Sequence, residues 1–266
     1  MPTPCISLIT TWCRTGLVRR LLHRHSRKNR QRELLPGARN ASIVKIYTKN
    51  QELIGKKAFR DPRLTRRAER FRSPKVSFYG FAFTDQRREV CEAVVIDPQE
   101  TLDLIVEDLD KAEALKAKGV SPDRIEKVLG ALNREQLLCE QFSPDELKPI
   151  KEYAFVSAKP VVRYTGQETD ELLAQIIRKT DSLFFFTAGE KEAKAWLLRS
   201  GADAVTAAGK IHSDLARGFI KAEVYNVADL DKFKNMADAR QRGLLKLVGR
   251  EYVVQDGDVL DVKFKA

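Results

Sequence analysis

The chain has 266 residues, of which 43% are hydrophobic and 32% charged, with 14 Gly and 10 Pro. This composition suits one large or two modest globular domains and excludes a collagen-like or mucin-like chain, a disulfide scaffold and a multi-pass membrane protein. The net charge of +11 is unevenly spread: residues 1–75 carry a net +16 and residues 76–266 a net −5. The basic character therefore belongs to one end of the chain.

Cys5, Cys13, Cys91 and Cys139 are scattered, with no C-x-x-C pairing. With only three histidines, His23, His25 and His212, they read as free thiols of a reducing, cytoplasmic compartment, and no metal site is expected. No apolar run reaches the ~18 residues that a membrane helix needs. Residues 1–32 contain no acid. An organelle transit peptide shares that feature, but the plainer reading is a disordered basic extension over residues 1–33.

Further along, Leu64, Ala68 and Phe71 fall at helical spacing after Pro62. Lys75–Thr84 alternates with apolar residues on both sides, which predicts a strand buried on both faces, and Cys91–Ile96 is a second such run. Pro98 opens a helix whose seam is Leu102, Ile105, Leu109 and Ala112. Gly119 ends it, and Ser121-Pro122-Asp123 caps a second helix with Ile125, Val128, Leu129 and Leu132 inward, so the pair forms an antiparallel hairpin. Ser143 and Glu146 are spaced for a capping box. Tyr153–Val156 and Val161–Tyr164 read as strands, and Glu168–Lys179 as an amphipathic helix. From Leu183 onward, short alternating segments separated by Gly-bearing turns predict a compact α+β module: Leu183–Phe186, Ala195–Leu198, Phe219–Tyr225, Tyr252–Val254 and Val259–Phe264.

Three blocks of that module, FFFTAGEKEAKAWLLRSG (184–201), AAGKIHSDLARGFIKAEV (207–224) and GREYVVQDGDVLDVKFKA (249–266), resemble the C-terminal domain of the YchF family. Its members are Obg-related P-loop nucleotide hydrolases that end in a TGS domain of β-grasp fold. DPRLTRRAERFRSPKVSFYGFAFTD (61–85), DPQETLDLIVEDLDKAE (97–113) and YAFVSAKPVV (153–162) resemble, in turn, the approach to the D-x-x-G motif, the start of the inserted coiled coil and the strand that follows it. The resemblance implies an α/β plus α+β chain. Residues 34–97 and 153–182 would be a remnant nucleotide domain, 98–152 the helical insertion and 183–266 the β-grasp domain.

The family would use ATP or GTP with Mg²⁺, held by G-x-x-x-x-G-K-[ST]. The matching stretch here is Leu34–Ser42, in which Leu34, Arg39, Asn40 and Ala41 replace both glycines, the lysine and the hydroxyl residue. Pro36, Gly37 and Ala38 remain as a remnant of nucleotide binding. Asp85 keeps the aspartate of D-x-x-G, whose glycine is replaced by Arg88. The family's base-reading N-x-x-E falls on Gly166-Gln167-Glu168-Thr169, so both readers are gone. Hydrolysis is expected to be lost, because phosphoryl transfer needs these groups together, and no cofactor is expected.

No catalytic residue is assigned. His212, Ser213 and Asp214 are consecutive and cannot converge as a triad; Ser213-Asp214 reads as a helix start. Gln255–Asp258 reads as a tight turn rather than a calcium loop. What the resemblance implies instead is ribosome or RNA binding. Lys210, His212, Arg217 and Lys221 are the residues placed to meet phosphates, with no DNA sequence specificity expected. Phe219 alternates as core, and the 183–266 module has a net charge of only +2. The competing readings are a hydrolase with a non-standard phosphate site and a truncated gene product without function. Nothing in the pattern fixes an oligomeric state.

Overall fold

Alternating burial defines the first strand. In β1 (Val44–Thr48), Val44, Ile46 and Thr48 are buried while Lys45 faces solvent, as expected where one face meets a core. The structure is a computed structural model that describes residues 43–189 and 191–265. The basic extension over residues 1–33 and the Pro36, Gly37 and Ala38 remnant lie outside the described residues.

β1 is followed by β2 (Gly55–Phe59) and α1 (Pro62–Arg70). Asp61 caps α1, accepting the Arg63 N–H at 2.9 Å, and Pro62 occupies the first turn. Then come β3 (Val76–Ser77), β4 (Tyr79–Thr84) and β5 (Ala93–Ile96). The helical stretch contains α2 (Thr101–Ala117), α3 (Pro122–Leu132), α4 (Leu138–Gln141) and α5 (Pro144–Leu147). It leads into β6 (Val161–Arg163), α6 (Thr169–Lys179), β7 (Ser182–Ala188) and β8 (Ala193–Arg199). The chain ends with α7 (Ala204–Ile211), α8 (Ser213–Arg217), β9 (Phe219–Asn226), α9 (Met236–Gln241), β10 (Lys246–Val248) and β11 (Asp258–Phe264).

The strands form two mixed sheets, so the chain is α/β with a C-terminal mixed-sheet domain. The first has the order β2-β4-β1-β5-β6, with β2 antiparallel to β4 and the other pairs parallel. The second has the order β10-β9-β11-β7-β8-β3. One core joins them: Ile46, Phe81, Phe83 and Val95 of the first sheet share a cluster with Leu64 of α1, Ile176 of α6 and Phe184, Phe186, Tyr225 and Val259 of the second. A second cluster lies between the first sheet and α2–α3, and a third between the far face of the second sheet and α7.

Four expectations require correction. Lys75–Thr84 is not one strand. It breaks at Phe78, so that β3 pairs with β8 while β4 enters the first sheet. β4 is buried on one face only: Phe81 and Phe83 are buried, but Gly80, Ala82 and Thr84 are half-exposed and belong to no core cluster. Small residues count as apolar in a pattern without implying a packed neighbour.

The α2 seam holds at Ile105, Leu109 and Ala112 but not at Leu102. Leu102 is 52% exposed, and Leu104, Ile105, Asp108 and Ala112 point inward. Ser121 is the N-cap residue of α3, but its side chain makes no capping bond. It adopts a left-handed φ of 39°, and its hydroxyl meets the Tyr153 hydroxyl at 3.0 Å.

Finally, Tyr153–Val156 is not a strand. It follows a 3-10 turn over Lys148–Tyr153 and is fixed from outside its own backbone. The buried Asp108 carboxylate accepts the Val156 and Ser157 N–H groups at 2.9 and 2.7 Å, bonds to a charged acceptor worth about 1.5–3 kcal/mol each. Lys159 then donates to the carbonyls of Arg88, Glu89 and Cys91 at 2.7–2.8 Å, and burial lowers its pKa. These two side chains hold the helical insertion against β5 and β6.

Candidate functional site

In an open parallel sheet, ligands sit beyond the carboxyl ends of the strands where the strand order reverses. Here that place is the end of β1, between β4 and β5. A phosphate loop would connect β1 to a helix. Instead, six residues, Lys49–Ile54, turn the chain directly into the antiparallel β2.

The turn satisfies its own backbone. Thr48 Oγ1 accepts the Asn50 N–H at 3.2 Å, Asn50 Oδ1 accepts that of Glu52 at 3.0 Å, and the Asn50 carbonyl accepts that of Leu53 at 3.1 Å. Leu53 is buried in the core, and Gly55 supplies a φ of 120°. Pro36, Gly37 and Ala38 precede β1 in the sequence and lie outside the described residues.

The neighbouring strand ends are closed in the same way. Asp85 is exposed just beyond β4, where Thr84 Oγ1 accepts the Gln86 N–H at 3.1 Å, and it has no ion pair among the described residues. Beyond β5, the Asp97 N–H is taken by Glu100 at 3.0 Å, and Glu100 pairs with Lys49 at 3.6 Å. Beyond β6, Gln167 folds back on the Thr165 N–H and the Arg163 carbonyl, and Glu168 is the N-cap residue of α6.

The four basic candidates do not share one surface. Lys210 lies on the last turn of α7. His212 caps α8, its Nδ1 accepting the Asp214 N–H at 3.1 Å, and Arg217 at the end of α8 pairs with Asp214. All three are exposed and lie on the side of the sheet covered by α7, where Ala222 and Val224 are buried. Lys221 alternates to the opposite face, that of Tyr225, and stands across the ladder from Lys263. Phe219 is core. Asp256 and Asp258 serve the fold: Asp256 accepts the Phe184 N–H at 3.0 Å, and Asp258 accepts the Tyr252 hydroxyl at 2.8 Å. No group of three or more His, Cys, Asp or Glu among the described residues is arranged to hold a metal. No helix among them is long and apolar enough to cross a membrane.

The arginines of α1 have a role that charge counting missed. Arg67 is buried between α1 and the second sheet, donating to the Tyr225 hydroxyl at 3.1 Å, to Ser73 at 2.8 Å and to the Ala188 carbonyl at 3.4 Å. Its guanidinium lies 4.7 Å from the Phe71 ring centroid. Arg63 forks onto Asp61 and reaches Asp256. Burial opposes its charge, yet the bonds to both acids hold its pKa above the ordinary arginine value. Arg66 and Arg70 both meet Asp231, and Arg70 also donates to the Phe233 carbonyl. The helical spacing was legible, but these long-range partners carry no local signal.

The fold is that of an α/β protein with a C-terminal mixed-sheet domain. Residues 183–265 match the profile described as YchF-GTPase_C, protein of unknown function (DUF933). The chain is 47% identical over 96 residues to the ribosome-binding ATPase YchF of Bacillus subtilis, covering 35% of this chain and 26% of that protein. Against the ribosome-binding ATPase YchF of Mycoplasma genitalium it is 27% identical over 247 residues, covering 64% and 67%. Against Obg-like ATPase 1 of Caenorhabditis elegans it is 37% identical over 132 residues, covering 50% and 31%. The chain thus spans between about a quarter and two thirds of these relatives. In structure it is similar to the YchF GTPase of Schizosaccharomyces pombe, with a TM-score of 0.69 over 85% of this chain and 99% of that one at 16% identity, a likeness of fold. Residues 183–265 thus resemble the C-terminal domain of the YchF family, and a longer stretch of the chain is similar to a YchF protein.

Proposed function

We propose that this YchF-like chain is a ribosome- or RNA-binding protein that has lost ATP and GTP binding and hydrolysis. Its second sheet serves as a β-grasp module of the TGS kind over residues 183–266, and α2–α3 stand where the family inserts its coiled coil. The observation that carries the loss is the course of the chain after β1. Six residues that use their own N–H groups in a turn replace the loop and helix that would cradle phosphates. Among the described residues, Asp85 faces no glycine-rich loop, and the lysine that follows β1, Lys49, is paired with Glu100. Ribosome association is supported by the names of the Bacillus subtilis and Mycoplasma genitalium relatives.

Calorimetry with ATP and GTP in the presence of Mg²⁺ tests the loss. Flat titrations are expected up to millimolar nucleotide. A saturable heat with micromolar affinity would overturn the reading in favour of a hydrolase with a non-standard phosphate site.

A further inference from the structure

Two large apolar side chains are exposed side by side at one corner of the second sheet. Ile220 is 55% and Phe264 45% exposed, at the start of β9 and the end of β11. The β9–β11 ladder shifts register there: Lys263 faces Lys221 but Phe264 faces Phe219, leaving Ile220 outside the pairing. The corner is held firmly. Gly218 accepts the Lys265 N–H at 2.9 Å, and a Cβ on Gly218 would stand 1.9 Å from the Lys265 carbonyl oxygen. Beneath Phe264 lies the buried Phe219, whose carbonyl accepts from Arg250 at 2.9 Å and whose ring centroid is 5.9 Å from that guanidinium.

Of the cations at this corner, Arg250 is held on Phe219 and Arg217 on Asp214, while Lys210 and Lys265 are exposed. Lys210 lies on the last turn of α7, which packs against α8 so closely that a Cβ on Gly209 would stand 3.4 Å from Ala216. An aromatic ring with an aliphatic neighbour, flanked by cations, is the chemistry that binds single-stranded nucleic acid. Bases of any identity stack on the ring while lysine and arginine neutralise the flanking phosphates. The corner is built on paired strands and a short glycine contact, so its geometry is fixed before a ligand arrives.

We propose that this corner is the RNA-contacting surface of the chain, with Phe264 and Ile220 stacking an unpaired base and Lys210, Arg217, Arg250 and Lys265 taking the adjacent phosphates. The proposal rests on the RNA-binding reading above and narrows it. His212 acts as a helix cap, and Lys221, on the other face of the sheet, is not a contact.

The test uses the full chain, a fluorescent single-stranded uridine-rich oligonucleotide and pelleting with ribosomes, on wild type, Phe264→Ala, Phe264→Trp, Lys221→Glu and the double variant Lys210→Glu/Lys265→Glu. Phe264→Ala should weaken oligonucleotide binding about tenfold, the loss of one stacked base, and Phe264→Trp should restore it. The lysine pair should lose a similar factor and flatten the salt dependence, while Lys221→Glu should bind as wild type. If wild type binds and neither Phe264→Ala nor the lysine pair changes it, the corner is wrong and the RNA-binding reading stands. If the variants lose ribosome pelleting but wild type ignores the oligonucleotide, the corner meets a ribosomal protein and the RNA proposal falls. If wild type neither binds nor pellets, both readings fall.

Discussion

Replacing Arg67 by methionine tests whether the charge of α1 holds the two sheets together or is available to a partner. The guanidinium is buried and contacts the Tyr225 hydroxyl, the Ser73 hydroxyl and the Ala188 carbonyl, over the Phe71 ring. Methionine keeps the apolar stem, and it removes the cost of burying the charge. The three hydrogen bonds therefore do not count in full. What remains is the stranding of a buried tyrosine hydroxyl and a carbonyl, at about 1–3 kcal/mol for each group left unpaired. A net loss of about 2–4 kcal/mol follows, which at a urea slope of about 2 kcal/mol/M lowers the unfolding midpoint by roughly 1–2 M. Tyr225→Phe should cost about 1 kcal/mol alone, and the double variant less than the sum of the two, because the residues share a bond. Exposed Arg60 and Arg72 serve as controls and should fall within about 0.5 kcal/mol of wild type. A midpoint for Arg67→Met equal to that of the controls would refute the inference that this arginine is structural.

Other outcomes follow from the same contacts. Asp108→Ala strands two buried N–H groups and should destabilise the chain by about 3 kcal/mol, and Asp108→Asn by less because its carbonyl can still accept one of them, as read by urea unfolding. Arg163 hydrogen-bonds to Glu140 and holds its pKa below the ordinary 4.5. That contribution to stability is complete above pH 4.5 and disappears as pH falls through the lowered folded value, so Glu140→Gln should flatten the acid limb of the stability curve and leave the neutral region nearly unchanged. A fragment of residues 183–266 should unfold at lower urea than the full chain. It loses α1 from the core face that carries Phe186, Tyr225 and Val259, and an unchanged midpoint for the fragment would argue for independent folding.

The second sheet was the more legible part of the fold. β7, β8, β9 and β11 are apolar segments bounded by glycine turns, and a helix start at Ser213 was legible although the capping side chain is His212. The first sheet was harder to read. Gly80 and Ala82 look apolar in a pattern although nothing packs on them, and β3 leaves its neighbour β4 for another sheet because of a partner, β8, more than a hundred residues away. Tyr153–Val156 has strand-like composition, but its N–H groups are claimed by Asp108 from a helix nearly fifty residues earlier.

For the site, the local sequence carried the signature substitutions at Leu34–Ser42, a stretch outside the described residues, and showed no sign of the short turn between β1 and β2. The basic cluster was read as one patch because its members are close in sequence. Strand alternation then set Lys221 on the far face. Phe264 escaped notice because alternation alone marks it as a strand residue, and its exposure follows from the register shift opposite Ile220.

The measurement that tests the account most directly is sedimentation of the full chain with purified ribosomes over a salt series, with and without ATP or GTP and Mg²⁺. The account requires the chain to pellet at low salt, to be released steeply as salt rises, and to do so identically whether or not nucleotide is present. A chain that stays in the supernatant at low salt, or whose pelleting changes with either nucleotide, would contradict it.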